Sequence, residues 1–366
     1  MRITLPLCTL LFCWTANAAV HAAPAVSNAP AAPAVSAAPA VPTVPAVPAV
    51  AITRATPAAP VTPVAPAVPF AAREVTLDVG GGTLRGTELA PKAGQGGKVP
   101  VVLLHAGSGP TDRNGNSIAL PGANDSLKMV AEGLAARGIV SIRYDKRLIA
   151  ASVSPQWSEA DLRFDDFVND AVAWIRQLKA DPRFSRVVVA GHSEGALIAA
   201  GACRRGAADG CVEIAGIGRG LDEVLDEQLK PHLTPEQFAQ HTRIVASLKE
   251  GKLADAVPPE LMMLYRPSVQ PYLISSLRHG PRDAIAALTM PVLIVQGTSD
   301  IQVKVADAEA LAKAQPAAKV VIVEGMNHLL KIVGDDQALQ VKSYGSNELP
   351  VAPQLLDAVA NFVQQL

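Results

Sequence analysis

Short, continuously apolar runs recur along this chain past residue 98, and most are followed by a stretch with helical periodicity. The runs are Val99–Leu104, Ile139–Tyr144, Val187–Ala190, Val212–Ala215, Val292–Gln296 and Val320–Val323. Strands without polar alternation are those buried on both faces. Helical patterns fall between or after them at Leu127–Arg137, Phe164–Leu178, Glu194–Arg204, Val305–Ala314 and Leu355–Leu366. The alternation predicts an α/β fold, a mostly parallel sheet with helices on both faces. In such sheets the functional loops gather at the carboxyl ends of the strands. Ahead of it, Val75–Val79 and Leu84–Leu89, joined around Gly80-Gly81-Gly82, read as an antiparallel hairpin.

One interval breaks the rhythm. About seventy residues between the Val212 and Val292 runs carry helical patterns and no evident strand, at Leu221–Leu229, Pro235–Leu248 and Pro259–Leu277. They are expected to form a helical cap, about 217–288, over the functional edge of the sheet. Met262, Met263, Leu264 and Tyr265 either line a pocket beneath it or pack the cap onto the sheet.

The first residues, with Arg2, an apolar core from Ile3 to Trp14 and small residues around Ala18 and Ala22, predict a signal peptide over 1–22 and an exported protein, periplasmic or secreted. That core is too short to span a membrane. From residue 23 to 70 the chain is almost wholly Ala, Pro and Val, which predicts a disordered or polyproline-like tether. Residues 71–366 suffice for one α/β domain with an inserted cap. A net charge of −1 and the lack of any basic cluster argue against nucleic acid as a partner. Cys203 and Cys211 would remain after export, either as a disulfide or as two buried thiols. The histidines are scattered, and no metal-ligand spacing recurs.

The third apolar run leads directly into Gly191-His192-Ser193-Glu194-Gly195 and then into a helical stretch. A serine between two glycines at a strand-to-helix turn reads as a nucleophile elbow. Ser193 would sit on a strained turn that presents its hydroxyl, where side chains two positions away would collide. A serine hydroxyl needs a base within hydrogen-bond reach, and the base needs an acid to orient it. Asp300 lies just past the Val292 run, and His328 just past the Val320 run, so both fall at the functional edge. The order Ser, Asp, His is the order this architecture uses. His328 is the only histidine after the Asp300 strand. His192, His232, His241 and His279 read as packed, solvated or locally bonded. Backbone N–H donors for an oxyanion are expected from Glu194, after the serine, and from Gly107 in the loop His105-Ala106-Gly107-Ser108-Gly109-Pro110, with Ser108 next to it.

These motifs together resemble the α/β-hydrolase superfamily, especially bacterial serine esterases with a GSGP-x-DR loop, here Gly107-Ser108-Gly109-Pro110-Thr111-Asp112-Arg113. The similarity extends through Arg143-Tyr144-Asp145-Lys146-Arg147, Asp181-Pro182-Arg183-Phe184, the elbow, and Arg266-Pro267-Ser268-Val269-Gln270-Pro271. It ends with Gly297-Thr298-Ser299-Asp300 and Gly325-Met326-Asn327-His328. The resemblance implies a serine hydrolase cleaving small-molecule carboxylic esters through an acyl-enzyme, with Ser193, Asp300 and His328 as its triad and no cofactor. Amides, peptides and thioesters suit the same triad, and a non-catalytic binding scaffold is the alternative from another class. One departure is that the common His-Gly before the oxyanion loop reads His105-Ala106. Asp112, Arg113, Arg143 and Asp145 would either contact substrate or brace the loops as an ion-pair network.

Overall fold

A computed structural model describes residues 52–55, 70–92 and 97–366. The signal peptide expected over 1–22 lies outside the described residues. In chain order the elements are β1 (Ile52–Ala55), β2 (Phe70–Val79), β3 (Gly82–Pro91), β4 (Val99–His105), α1 (Ser126–Ala136), β5 (Val140–Tyr144), α2 (Phe164–Ala180), β6 (Phe184–His192), α3 (Glu194–Gly206) and β7 (Gly210–Ile214). Then follow α4 (Leu221–Leu229), α5 (Pro235–Lys249), α6 (Met262–Tyr265), α7 (Gln270–Ser276), α8 (Pro281–Ala286), β8 (Val292–Gly297), α9 (Val305–Ala314), β9 (Lys319–Val323), α10 (Gln337–Gly345) and α11 (Pro353–Gln364).

The strands form one nine-stranded sheet in the order β1-β9-β8-β7-β6-β4-β5-β3-β2. Only β3 runs against the rest, antiparallel to both β2 and β5. Successive strand residues face opposite sides of a sheet. Val101, Leu103, Val187 and Val189 therefore pack with α2, α3, α8 and α9, while Val102, Leu104, Val188 and Ala190 pack with α1 and α11. With helices covering both faces few positions in these runs can be polar, hence their largely apolar character; Ser141, Arg143, Glu213 and Gln296 are the buried polar exceptions. Cys203 and Cys211 are free thiols buried in the first of these layers.

Two elements depart from the expectations. β1 falls inside the Ala/Pro-rich stretch expected to lack sheet structure, and pairs in parallel with β9, Ile52 opposite Val320. It occupies a proline-free window that holds the only isoleucine and the only charged residue of 23–70, Ile52 and Arg54. At an edge, four residues of backbone pairing need no buried side-chain face. The other residues of 23–69 lie outside the described ones. α10, with no clear apolar stripe, was not foreseen.

The interval over 217–288 is helical. α4 to α7 enclose a cluster of their own, with Leu225, Leu229, Ile244, Leu248, Leu264 and Tyr265 at its centre. α8 belongs instead to the main core, through Ile285. At the heart of the cap the buried His241 ring joins the Tyr265 hydroxyl and the Asp226 carboxylate, each at 2.7 Å, and so links α5, α6 and α4. No described helix is long and apolar enough to cross a membrane.

Candidate active site

Ser193 is the single residue between the end of β6 and the start of α3, with φ +57° and ψ −126°. A non-glycine residue there is strained, and such strain persists only where the surroundings over-determine it. The Ser193 N–H donates to Ile214 O at 2.9 Å, and its carbonyl accepts the Ala196 N–H at 2.9 Å. The flanking glycines are obligatory. A Cβ on Gly191 would sit 2.0 Å from the Gly195 carbonyl oxygen, and one on Gly195 would sit 2.5 Å from that of Ala106.

The loops after β8 and β9 are stitched together by backbone. Ser299 N–H donates to Met326 O at 3.0 Å, Gly325 N–H donates to Thr298 Oγ1 at 2.8 Å, and a Cβ on Gly297 would lie 2.0 Å from Met326 O. This brings Asp300 and His328 together, with His328 Nδ1 2.8 Å from Asp300 Oδ2. The other carboxylate oxygen accepts the Gln302 and Val303 N–H groups at 2.8 and 2.9 Å. Burial alone would raise the Asp300 pKa, but the His328 ring and these amides outweigh it and hold the carboxyl below its usual range. An ionised carboxylate only accepts, so Nδ1 carries a proton, and in the neutral ring Nε2 then keeps the lone pair. Nε2 is buried with no hydrogen-bond partner among the described residues. Bonds from a serine to its base are often loose before substrate binds.

His192 ties the elbow to this pair. Its Nε2–H donates to His328 O at 2.8 Å, and the two rings lie 4.8 Å apart. Burial first, and His328 second, push His192 down to about 3, so it stays neutral. In the cap and at its border, His241 is locally bonded as described, and His279 stacks on Phe164 with ring centroids 4.4 Å apart.

The loop after β4 lies against the elbow. A Cβ on Gly107 would be 3.2 Å from Ser193 Cβ. Ala106, at the position where glycine is common, does not adopt a positive φ, so its methyl group is accommodated. Glu194 opens α3, and a first helical N–H has no partner within its helix. The DR segment braces rather than lines the site. Arg113 donates from Nε to Asp145 at 3.0 Å and also reaches Glu74 and Thr87, while Arg143 Nε donates to Asn114 at 3.0 Å. None of Asp112, Arg113, Arg143 and Asp145 borders the cavity next to Ser193.

That cavity, about 470 Å³, runs from Ser193 between the sheet edge and the cap. Its walls are largely apolar, with Phe167 and Leu197 from the core and Val224, Leu225, Met263 and Leu264 from the cap. Met263 and Leu264 thus line it. Met262 points outward at 39 % exposure, and Tyr265 is buried inside the cap. Sequence reasoning did not foresee Lys146, Glu194 (as a side chain) and Tyr272, polar groups on the cavity wall. Lys146 and Glu194 fall inside motifs noted in the sequence, but nothing in those motifs says that the side chain faces a cavity, and each of the three reaches the wall from a different part of the chain.

A serine elbow, an Asp–His pair and a glycine-rich loop at the carboxyl edge of a doubly covered sheet define an α/β-hydrolase architecture. Residues 101–338 match the alpha/beta hydrolase family. The chain is 30% identical over 297 residues to Esterase EstD of Thermotoga maritima, covering 80% of this chain and 68% of that protein. It therefore belongs to the alpha/beta hydrolase family. Among solved structures it resembles Est1E from Butyrivibrio proteoclasticus, with TM-score 0.51 and 17% identity over 80% of this chain and 98% of that one. The Pyrococcus furiosus esterase Pf2001 superposes with TM-score 0.53 and 17% identity over 81% and 91% of the two chains.

Proposed function

We propose that this chain is an exported serine hydrolase that cleaves carboxylic esters with an apolar acyl or alcohol group. Ser193 attacks the ester carbonyl while His328 Nε2 takes its proton, and Asp300 stabilises the imidazolium through Nδ1. The amides of Gly107 and Glu194 receive the oxyanion. His328 then protonates the leaving alcohol and activates water for deacylation, so side chains and water complete the cycle.

The observation that carries this reading is the Asp300–His328 hydrogen bond of 2.8 Å, which leaves Nε2 without a hydrogen-bond partner among the described residues, on a ring 4.8 Å from that of His192, the residue before the strained Ser193. The similarity to an esterase across most of the chain supports ester substrates, and the apolar cavity supports an apolar group on them. The basic and apolar segments at 1–22 support export. The test is a panel of p-nitrophenyl esters, aminoacyl-anilides and acyl-thioesters, run beside fluorophosphonate labelling. Ester turnover should dominate, and Ser193→Ala should lose both turnover and label. Preference for anilides or thioesters would reassign the substrate, and a wild-type protein that takes no label would reduce it to a binding scaffold. N-terminal sequencing of the mature protein from the exported fraction checks the leader.

A further inference from the structure

We propose that Lys146 is a positioning residue of the oxyanion loop, holding in place the backbone that carries the loop's N–H donors. This rests on Ser193 being the nucleophile and on the loop after β4 supplying one of the donors.

Lys146 lies two residues past β5, next to β4 in the sheet, so its side chain starts at the same edge as the loop. It is 2 % exposed. Its ammonium donates to the carbonyl oxygens of both Gly107 and Gly109, the latter at 3.0 Å. The neighbouring carbonyls are held as well. His105 Nδ1–H donates to Ala106 O at 2.8 Å, and Thr111 Oγ1 donates to Ser108 O at 2.8 Å. Every carbonyl from 106 to 109 is therefore anchored by a side chain, and two of the four anchors are Lys146.

In a trans peptide the C=O and the following N–H point in opposite directions within one plane. Holding Ala106 O orients the Gly107 N–H, and holding Gly107 O orients the Ser108 N–H. Gly107 is the loop donor expected above and Ser108 its neighbour, so Lys146 fixes the peptide that follows the Gly107 donor and aims the Ser108 N–H directly. The loop needs such anchoring because it contains Gly107 and Gly109, the latter at φ +64°, and glycine backbone is conformationally free. A stiffening side chain at Gly107 would crowd the nucleophile, its Cβ lying 3.2 Å from Ser193 Cβ.

The surroundings of the ammonium argue against a substrate-binding charge. Two of its donors are committed to carbonyls, the Phe167 ring centroid lies 5.8 Å away, and the nearby Glu194 carboxyl, itself raised by burial, favours the ammonium form. Burial lowers Lys146 to about 8, with Glu194 opposing, so the ammonium form prevails at neutral pH.

The test measures Lys146→Met and Lys146→Arg on a short-chain p-nitrophenyl ester and against two inhibitors. One is a trifluoromethyl ketone, which forms a tetrahedral oxyanion on the nucleophile; the other is the matching methyl ketone, which binds without forming it. Lys146→Met should lower kcat by about a hundredfold, the scale of one misaligned oxyanion donor, with KM within about threefold. Affinity for the fluorinated ketone should fall in step while the methyl ketone binds as before. Lys146→Arg keeps a cation and donors but cannot meet both carbonyls unless the loop moves, so it should recover only part of the loss. It carries the same comparison if the Met variant does not fold.

Full kcat in either variant overturns the proposal. So does an equal loss for both ketones in step with melting temperature, which marks a purely structural role, or a KM effect confined to substrates with an anionic tail. Ser193→Ala in the same assays separates the levels. If it retains turnover the nucleophile reading fails; if it is inactive while Lys146→Met is fully active, only the role of Lys146 falls.

Discussion

Replacing Asp300 by Asn tests the site at its most sharply defined bond, because the two carboxylate oxygens have different tasks. Oδ1 accepts the Gln302 and Val303 backbone N–H groups at 2.8 and 2.9 Å. Oδ2 accepts His328 Nδ1–H at 2.8 Å and Gln296 Nε2–H at 3.2 Å. Asparagine keeps one oxygen, and the two backbone donors hold it at the Oδ1 position. Its NH₂ then faces Nδ1, where donor meets donor. Gln296 cannot turn its own carbonyl toward the new amide without losing the 2.9 Å bond from Nε2 to Val303 O. The imidazole responds by shifting its proton to Nε2, which leaves no lone pair there for the Ser193 proton. A base held in the wrong tautomer loses about 10⁴-fold in kcat, or about 5 kcal/mol at 1.36 kcal/mol per factor of ten. Both backbone bonds survive, so folding stability should change by only about 1 kcal/mol. The assay is kcat/KM on a p-nitrophenyl ester together with urea midpoints for the same preparations. An Asn variant within about tenfold of wild type would refute the reasoning. Collapse of the urea midpoint in step with activity would equally show that the bond is structural.

Burial pushes Glu213, on β7, up to about 8, above its unfolded value of 4.5. Its contribution to stability is present below about 4.5 and is lost as pH rises through about 8, so the urea midpoint of Glu213→Gln should gain on wild type between those limits; a pH-independent difference would exclude a neutral buried carboxyl. Gly195→Ala drives a Cβ to 2.5 Å from Ala106 O and 2.8 Å from His105 O, both backbone, and should lower kcat by more than about tenfold. Gly201→Ala, which meets only Val168 side-chain carbons at 3.2 and 3.3 Å, should keep activity and gain up to about 1 kcal/mol of helix stability in a melting experiment. Tyr265→Phe leaves buried His241 Nδ1 unpaired and should lower stability by about 1–3 kcal/mol while the rate of Ser193 labelling is retained.

The strands were legible because burial on both faces leaves few polar positions, as in Val101–Leu104 of β4 and Val292–Val295 of β8, where every residue is apolar. α10 was not, because Gln337–Gly345 shows no apolar stripe, and β1 was hidden because four residues at an edge are specified by backbone pairing more than by composition. Ser193, Asp300 and His328 could be singled out because each follows an apolar run that ends at one sheet edge. Lys146 could not. Its role is read from hydrogen bonds to carbonyl oxygens, and every residue has a carbonyl, so no residue type at the acceptor announces the contact.

The same distinction explains where strain collects. Of the seven described non-glycine residues with positive φ, Leu148, Ser193, Ala215 and Leu330 are Ser193 itself or lie within three residues of Lys146, the β7 carboxyl end or His328, whereas Asp125, Ala150 and Ala207 lie elsewhere. Strained non-glycine backbone at of order 1–3 kcal/mol per residue is sustained only where neighbouring contacts hold it. Here backbone bonds hold the strained residues, Leu148 N–H to Ser152 O, Ser193 N–H to Ile214 O, Ala215 N–H to Val295 O and Leu330 N–H to Asn327 O, while side chains clamp main-chain atoms of the site: Lys146 on Gly107, His192 on His328, and Asp300 on Gln302 and Val303. A site arranged in this way keeps its donors aimed before substrate arrives, which is what electrostatic stabilisation of an oxyanion requires. Loosening a clamp should therefore reduce turnover more than substrate affinity.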